Sequence, residues 1–511
     1  MGRFLELLRR VIVGDPRRLA REAQHLAWVA DEADLRRFAT DLRPTPPAIT
    51  FGSVHFRDGT KRAVGFPVER LFSTHVAVSG ASGSGKTTLA LDITDQLLRL
   101  PQVRLAAVDP KGDFERGLRE ERFPLAAAQL GPEFAARVRF VRPFAGGPVP
   151  PLRFTARERG VPIEVQSLSL ATALAEASGL ALTPPAVQAF TKLARLAIEL
   201  DEPLTTIVTW ISQPEVFAHA ARRSQDDRLR HYALVEFARE HRGMLRALHA
   251  RLESVLLLPS VRAALEAPGC ISFPESIEDH HLVIDLSHPP GGEESAVRIL
   301  GGPLIGRQTR ALLNREVHDG SPQVVFAIDE LQELLTHYEA ASFARLAALA
   351  RSRRAMLICV NQQRVQLGPK LSEVLRTNAG VEAMFRCHAA DAEALGHVLP
   401  VPAGAEQPGE ARRALVRRMI TLGRRDYLLW VKDGAVPAHF VRARKVDSAA
   451  LRQAAAALSP DLVRELGRWS GPAAPPAGPD ERGPSSPPEA PGEPPDAPPA
   501  PGPDSPFPWL G

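Results

Sequence analysis

Gly80, Gly85, Lys86 and Thr87 stand at the spacing G-x-x-x-x-G-K-[ST], inside the stretch Val76-Ala77-Val78-Ser79-Gly80-Ala81-Ser82-Gly83-Ser84-Gly85-Lys86-Thr87-Thr88-Leu89. Residues of these types at this spacing hold phosphate. Glycines let the backbone curl until its N–H groups point into the hollow at a helix N-terminus, where the helix dipole also favours an anion. Lys86 then reaches the β- and γ-phosphates, and the Thr87 hydroxyl ligates Mg²⁺. The candidate cradle is Gly80, Ser82, Gly83, Ser84, Gly85, Lys86, Thr87 and Thr88. The plainer alternative is a glycine-rich turn in an unrelated α/β domain. Against it stand the short apolar strand before the loop and the apolar-periodic helix running to Leu98 after it.

A second cluster of chemistry ends the apolar run Val324-Val325-Phe326-Ala327-Ile328 with Asp329 and Glu330. A strand buried on both faces delivers such carboxylates at its carboxyl end, where open α/β sheets bind ligands. Asp329 would hold Mg²⁺, directly or through water, and Glu330 would orient and deprotonate the water attacking a γ-phosphate. Alternatively, the pair is an exposed start of a helix, where acids are favoured. Gln362 ends the next apolar strand, so its amide would sit between the phosphate loop and Glu330; otherwise it is a strand-end polar residue facing solvent. Arg351, eleven residues before Gln362, would neutralise a transition state in a neighbouring subunit. Its neighbours Arg353 and Arg354 leave that choice open, as does the role of an ordinary surface arginine.

The elements that must place these groups read as α/β. Residues 1–43 carry apolar positions at helical spacing and are closed by Pro44, Pro46 and Pro47. Residues 49–72 alternate and turn at Asp58-Gly59, as a hairpin does. Strands follow at Val76–Ser79, Val103–Val108 (ending Asp109-Pro110-Lys111-Gly112-Asp113) and Val138–Val141. From about Ile163 to Pro268 nearly everything reads as helix. Strand character resumes at His281–Leu286, Val324–Ile328, Ala355–Val360, Val381–Cys387, Tyr427–Val431 and His439–Val441, with helices around Glu294–Arg315 and Ala340–Arg351. Alternating strands and helices indicate a mostly parallel, doubly wound sheet. The expected division is a helical segment at 1–48, a nucleotide-binding domain in two parts at 49–150 and 270–445, an all-helical insertion at 151–269, a helix at 446–470 and a tail at 471–511.

Composition sets the frame. The 511 residues suffice for two or three folded units. No apolar run is long enough for a membrane span, the arginine-bearing N-terminus lacks a signal-peptide pattern, and Cys270, Cys359 and Cys387 lack metal-ligand spacing. A reducing, cytoplasmic setting is therefore expected. The net charge of +4 hides an asymmetry: from residue 471 there are six acids against one arginine, so the body is strongly basic. That suits a nucleic-acid partner, or simply a solvated basic face. Sixteen prolines in the last forty-one residues, with large apolar groups only at Phe507, Trp509 and Leu510, make an extended, disordered acidic tail. Its aromatic tip is a hook for a partner protein's groove, or the acidic tail folds back on the basic body and competes with DNA, or the segment is a solubilising extension.

The motif order resembles a known superfamily. His75-x4-Gly80-x4-Gly85-Lys86-Thr87, the strand ending Asp109-Pro110-Lys111-Gly112, Ile328-Asp329-Glu330 and Asn361-Gln362-Gln363-Arg364 occur in the order seen in the HerA/FtsK superfamily of hexameric DNA pumps. The Asp-Pro-Lys-Gly turn and the helical insertion look most like the TraG/TraD-type coupling ATPases of conjugation and type IV secretion. The resemblance covers about residues 50–445. It implies a RecA-like (ASCE) P-loop ATPase core, ATP and Mg²⁺ as ligands, a homo-hexamer and DNA as a sequence-independent partner. It also implies that Gln362 senses γ-phosphate and that Arg351 acts in trans. Two departures are visible: the apolar spans of membrane-bound coupling proteins do not occur here, and residues before His75 offer too few strands for the N-terminal barrel of the HerA pumps.

The leading expectation is an ATP-driven ring motor that moves DNA, with Arg364, Lys370 and Arg376 either on a DNA-facing loop or on a solvated face. The alternatives are an ATPase energising protein secretion or pilus assembly, and a nucleotide-dependent scaffold or switch. Glu330 argues against a slow switch, because it supplies the base that slow switches commonly lack. No Asn-Lys-x-Asp guanine-reading motif and no Leu-Ser-Gly-Gly-Gln transporter signature occur.

Overall fold

The computed structural model describes residues 32–56, 58–145, 149–177, 183–289, 294–334, 337–399, 408–433, 438–458 and Leu466. The expected N-terminal helices before residue 32 and the tail at 471–511 lie outside the described residues. Eleven strands form one sheet: β1 (Ala48–His55), β2 (Lys61–Pro67), β3 (Val76–Ser79), β4 (Val103–Asp109), β5 (Val138–Val141), β6 (His281–Asp285), β7 (Gln323–Ile328), β8 (Ala355–Asn361), β9 (Val381–Met384), β10 (Asp426–Val431) and β11 (Ala438–Arg442). Their spatial order is β2-β1-β11-β10-β9-β3-β8-β7-β4-β6-β5. From β9 to β5 all neighbours run parallel, and from β9 to β2 all run antiparallel.

The parallel strands read as unbroken apolar runs because both faces are covered. Alternate residues of β4 enter different cores: Ala106 and Val108 join the one containing the helical insertion, while Leu105 and Ala107 join the one under the phosphate-loop helix. The β1–β2 hairpin turns where expected; Asp58 accepts the Thr60 N–H at 2.8 Å, and Gly59 takes φ +83°. The helix Glu32–Asp41 buries Leu35, Phe38 and Ala39 beside this hairpin. The ninth strand is shorter than its apolar run: β9 ends at Met384, and Phe385-Arg386 turn away against the phosphate loop.

Between β5 and β6 the described residues are mostly helical, from Ile163 to Asp279, around a core with Trp210, Phe217, Tyr232 and Phe237. A single bridge, Leu152 to Cys270, joins the ends of this segment. Arg153 fastens it further, donating to the Asp201 and Glu266 carbonyls at 2.8 Å each. Among the described residues no helix is long and apolar enough to cross a membrane.

His281 shows how completely the sheet is dried. Its Nδ1 accepts the Leu105 N–H at 3.3 Å, its ring lies 4.9 Å from that of Phe134, and burial pushes its pKa down to about 3. The unfolded chain takes up a proton near pH 6.5 that the folded chain refuses, so His281 withdraws stability as pH falls from about 6.5 towards 3, by up to about 1.4 kcal/mol per pH unit. Urea melts at pH 7, 6 and 5 should therefore show the stability difference between the parent and His281→Gln shrinking as pH falls. A pH-independent difference would contradict this burial.

Candidate active site

The phosphate loop begins where β3 ends. Gly80, Gly83 and Gly85 take φ of +145°, +71° and +115°. A Cβ at Gly80 would lie 2.6 Å from the Phe385 Cβ, so only glycine fits there. Gly85 starts the helix Lys86–Leu98 in a left-handed conformation, while nothing lies within 4 Å of a Cβ at Gly83. The loop thus curls around an open hollow at a helix N-terminus. Ser82 is exposed, Thr88 half-buried, and the buried Ser84 hydroxyl has no hydrogen-bond partner. Lys86 is buried and its Nζ donates to the Ala81 carbonyl at 3.1 Å, bridging the hollow; burial pulls its pKa down, against the charges of Glu330 and Asp329.

The β7 carboxylates face this loop, as two strands flanking β8 in a parallel sheet must. Thr87 Oγ1 donates to Asp329 Oδ2 at 3.4 Å. Asp329 Oδ1 accepts the Glu330 N–H at 3.0 Å; burial, then the neighbouring charges of Asp109 and Glu330, raise the Asp329 pKa to about 8. Asp109, at the end of β4, accepts the Lys111 and Glu115 N–H groups at 2.8 and 2.9 Å. A carboxylate crowded by carboxylates and facing a hydroxyl fits a divalent cation, and the fit is of the Mg²⁺–nucleotide kind. Among the described residues no group of three or more His, Cys, Asp or Glu could hold a metal unaided, so phosphate and water would complete the shell.

Glu330 itself is held by three side chains. Lys111 Nζ pairs with Oε1 at 2.9 Å, Gln362 Nε2 donates to Oε1 at 2.9 Å, and Gln332 donates to Oε2. Burial disfavours its charge, yet these donors outweigh it and hold the carboxyl below its ordinary value. Its backbone sits at φ +48°, which a non-glycine side chain adopts at a cost of about 1–3 kcal/mol. The fixed, ionised carboxylate is what a general base needs. Lys111 and Gln332 were not foreseen as site residues, although the Asp-Pro-Lys-Gly turn drew attention to the segment. Gln332 reaches Glu330 from two residues on, while the Lys111 role depends on β4 lying next to β7, which no local pattern reveals.

Gln362 thus meets Glu330, but Arg351 does not join them. It lies in the turn Ala350–Arg353 before β8, at the opposite edge of the sheet from Gln362. The two neighbouring arginines are engaged elsewhere. Arg353 donates to the Arg315 carbonyl at 2.7 Å, and Arg354 donates to the carbonyls of His318, Asp319 and Ser321. Arg351 is exposed, and its side chain has no hydrogen bond or ion pair to a described residue.

Arg364 corrects an expectation. It is neither on a DNA-facing loop nor on a solvated face: its guanidinium is buried against Glu382 of β9, which also pairs with Lys432 at 2.9 Å. A fully buried carboxylate within the sheet needs both cations. Arg376 is exposed beside Glu373, and Lys370 lies on the same helix, Gly368–Asn378.

Residues 49–216 match the family model of the central domain of the helicase HerA. No curated protein matches the chain in sequence. Solved structures that share the fold include two of a coupling protein and one of VirB4. The bacterial conjugative coupling protein TrwBdeltaN70, in its unbound monoclinic form, superposes with a TM-score of 0.54 at 16% identity, covering 81% of this chain and 93% of its own. The plasmid coupling protein TrwB in complex with ADP and Mg²⁺ gives 0.53 at 17% identity, covering 75% and 88%. VirB4 of Thermoanaerobacter pseudethanolicus gives 0.51 at 15% identity, covering 78% and 96%.

Proposed function

We propose that this P-loop ATPase of the HerA/FtsK type, folded like the conjugative coupling proteins, is a ring motor that hydrolyses ATP to move DNA. One observation carries the enzymatic part: a buried glutamate, fixed by Lys111 and Gln362, stands beside a phosphate loop from which its strand is separated only by β8. The loop N–H groups and Lys86 bind the phosphates. Thr87 and Asp329 hold Mg²⁺, which screens the phosphate charge when bound. Glu330 takes the proton from water as its oxygen bonds to the γ-phosphorus and the bond to ADP breaks. Gln362 reports whether a γ-phosphate is present, a role supported by its contact with Glu330. The relative TrwB, crystallised with ADP and Mg²⁺, supports both ligands.

A ring is supported by Arg351, which is free on the surface but far from its own site. DNA is supported by the basic body, and its phosphates would be contacted without regard to sequence. The reading places the motor in the cytoplasm as a coupling ATPase of a conjugation or type IV secretion apparatus, with its acidic tail as a hook for a partner protein.

The test is ATP hydrolysis measured with and without duplex DNA of several sequences. Turnover should rise with each, and binding should fall by about 10³–10⁵ between 50 and 200 mM salt if six to ten phosphates are neutralised. Stimulation by a secreted protein but not by DNA would replace the cargo and leave the engine intact.

A further inference from the structure

We infer that Arg386 and Arg425 bind the ribose and α-phosphate of the nucleotide, completing the half of the site that the phosphate-loop motif does not describe. The inference rests on the reading of the loop as a nucleotide site and extends it along the sheet edge. Every group assigned to the γ-phosphate lies on one side of β3: Gln362 after β8, Asp329 and Glu330 after β7, Lys111 after β4. A nucleotide whose γ-phosphate meets these groups crosses the loop and extends its adenosine end the other way, towards β9 and β10.

At the same sheet edge on that side stand Phe385-Arg386, just after β9, and Gly423-Arg424-Arg425, just before the antiparallel β10. Both segments are fastened to the phosphate loop. The Ala81 N–H donates to the Arg386 carbonyl at 2.6 Å, and the Arg425 N–H donates to the Ser84 carbonyl at 3.1 Å. The Phe385 ring lies beneath Gly85 and stacks on Tyr427 at 4.9 Å. Arg425 is in the left-handed region at φ +77°, pinned there because its own carbonyl accepts the Ala443 N–H at 2.9 Å.

The charges distinguish these residues from their neighbours. Arg442 pairs with Asp426 at 2.6 Å, and Arg444 pairs with Asp92 of the phosphate-loop helix. Arg386, Arg424 and Arg425 have no ion pair or side-chain hydrogen bond to a described residue. Guanidinium groups without carboxylates, anchored by backbone bonds to a loop built for phosphate, suit an anion with hydroxyls beside it. Arg386 and Arg424 are both exposed, but the Arg424 backbone makes no bond to the loop, so the assignment stops at the two that are fastened.

The experiment measures Mg²⁺–ADP and Mg²⁺–pyrophosphate binding by calorimetry to the parent, Arg386→Ala and Arg425→Gln, the latter keeping a non-glycine side chain at the left-handed position. Each variant should weaken ADP binding by about ten- to a hundredfold, the loss of one charge-assisted hydrogen bond. Pyrophosphate, which lacks the ribose and can occupy the β- and γ-positions, should change less than about threefold, while the KM for ATP should rise in step with the ADP Kd. Arg386→Lys and Arg425→Lys, which keep the charge, should recover part of the affinity and guard against a folding defect. An unchanged ADP affinity would overturn the assignment, as would lost turnover at unchanged affinity, which would place these arginines in a neighbour's site. Absence of ADP binding in the parent would instead overturn the nucleotide reading itself.

Discussion

Glu330→Gln should still bind ATP while its turnover falls by about 10²–10⁴-fold, the usual worth of a positioned general base. Lys86→Ala should lose both turnover and most of its affinity. The two differ because they touch different states. Lys86 spans the hollow to Ala81 and meets phosphates already present in the ground state. Glu330 meets the water, whose proton moves only in the transition state. The glutamine keeps the shape of Glu330 and an oxygen for Gln362, but accepts no proton. Lys111 then loses its ion-pair partner, a small loss because that lysine is 41% exposed. Phosphate release and titration with a slowly hydrolysed ATP analogue measure the two effects. Parental turnover in Glu330→Gln would remove the residue from the mechanism.

Arg351→Ala should also lose turnover, by about 10³–10⁵-fold if its guanidinium neutralises the transition state in the next subunit. Mixing should then rescue what neither chain does alone. In a one-to-one mixture of Arg351→Ala and Glu330→Gln chains, about a quarter of the head-to-tail interfaces pair an intact Arg351 with an intact Glu330. The structural reason is distance: Arg351 precedes β8 while Gln362 follows it, so the strand separates the arginine from its own phosphate loop. Mass photometry with ATP reads the assembly, and phosphate release reads the rescue. Full activity at dilutions where only monomers exist would exclude both the ring and the trans role.

What could be read from residues alone divides along a physical line. The phosphate loop was legible because its chemistry is local: glycines at fixed offsets, between an apolar strand and a periodic helix. Asp329 and Glu330 were legible because a parallel strand, buried on both faces, has an unmistakable apolar run. The Glu330 clamp was only half legible. Gln362 stands at the end of its own apolar strand, but Lys111 reaches Glu330 only through a sheet order that interleaves distant segments. Arg364 failed for the opposite reason. A charge in a polar stretch looks solvated, and nothing nearby signals that Glu382, eighteen residues on, sits inside the sheet without solvent. Arg351 was ambiguous because three arginines crowd one turn, and only the folded chain shows Arg353 and Arg354 bonded to backbone carbonyls. No motif covers Arg386 and Arg425, because arginines after a strand and before another are ordinary until both are seen against the same loop.

The position of β3 also has a consequence for how the chain is made. The strand carrying the phosphate loop pairs with β8 on one side and β9 on the other, both from the far end of the chain. A ribosome adding about 5–20 residues per second needs roughly 15–60 s after completing β3 to supply those neighbours, some 300 residues later. During that interval an apolar strand with two open edges is outside the tunnel and unpaired, the condition that favours wrong pairing between nascent chains. The engine therefore stays inert until almost the whole core has been synthesised: the nascent chain carries the Gly-Lys-Thr motif early but has no rigid cradle until Phe385 emerges to close against Gly80.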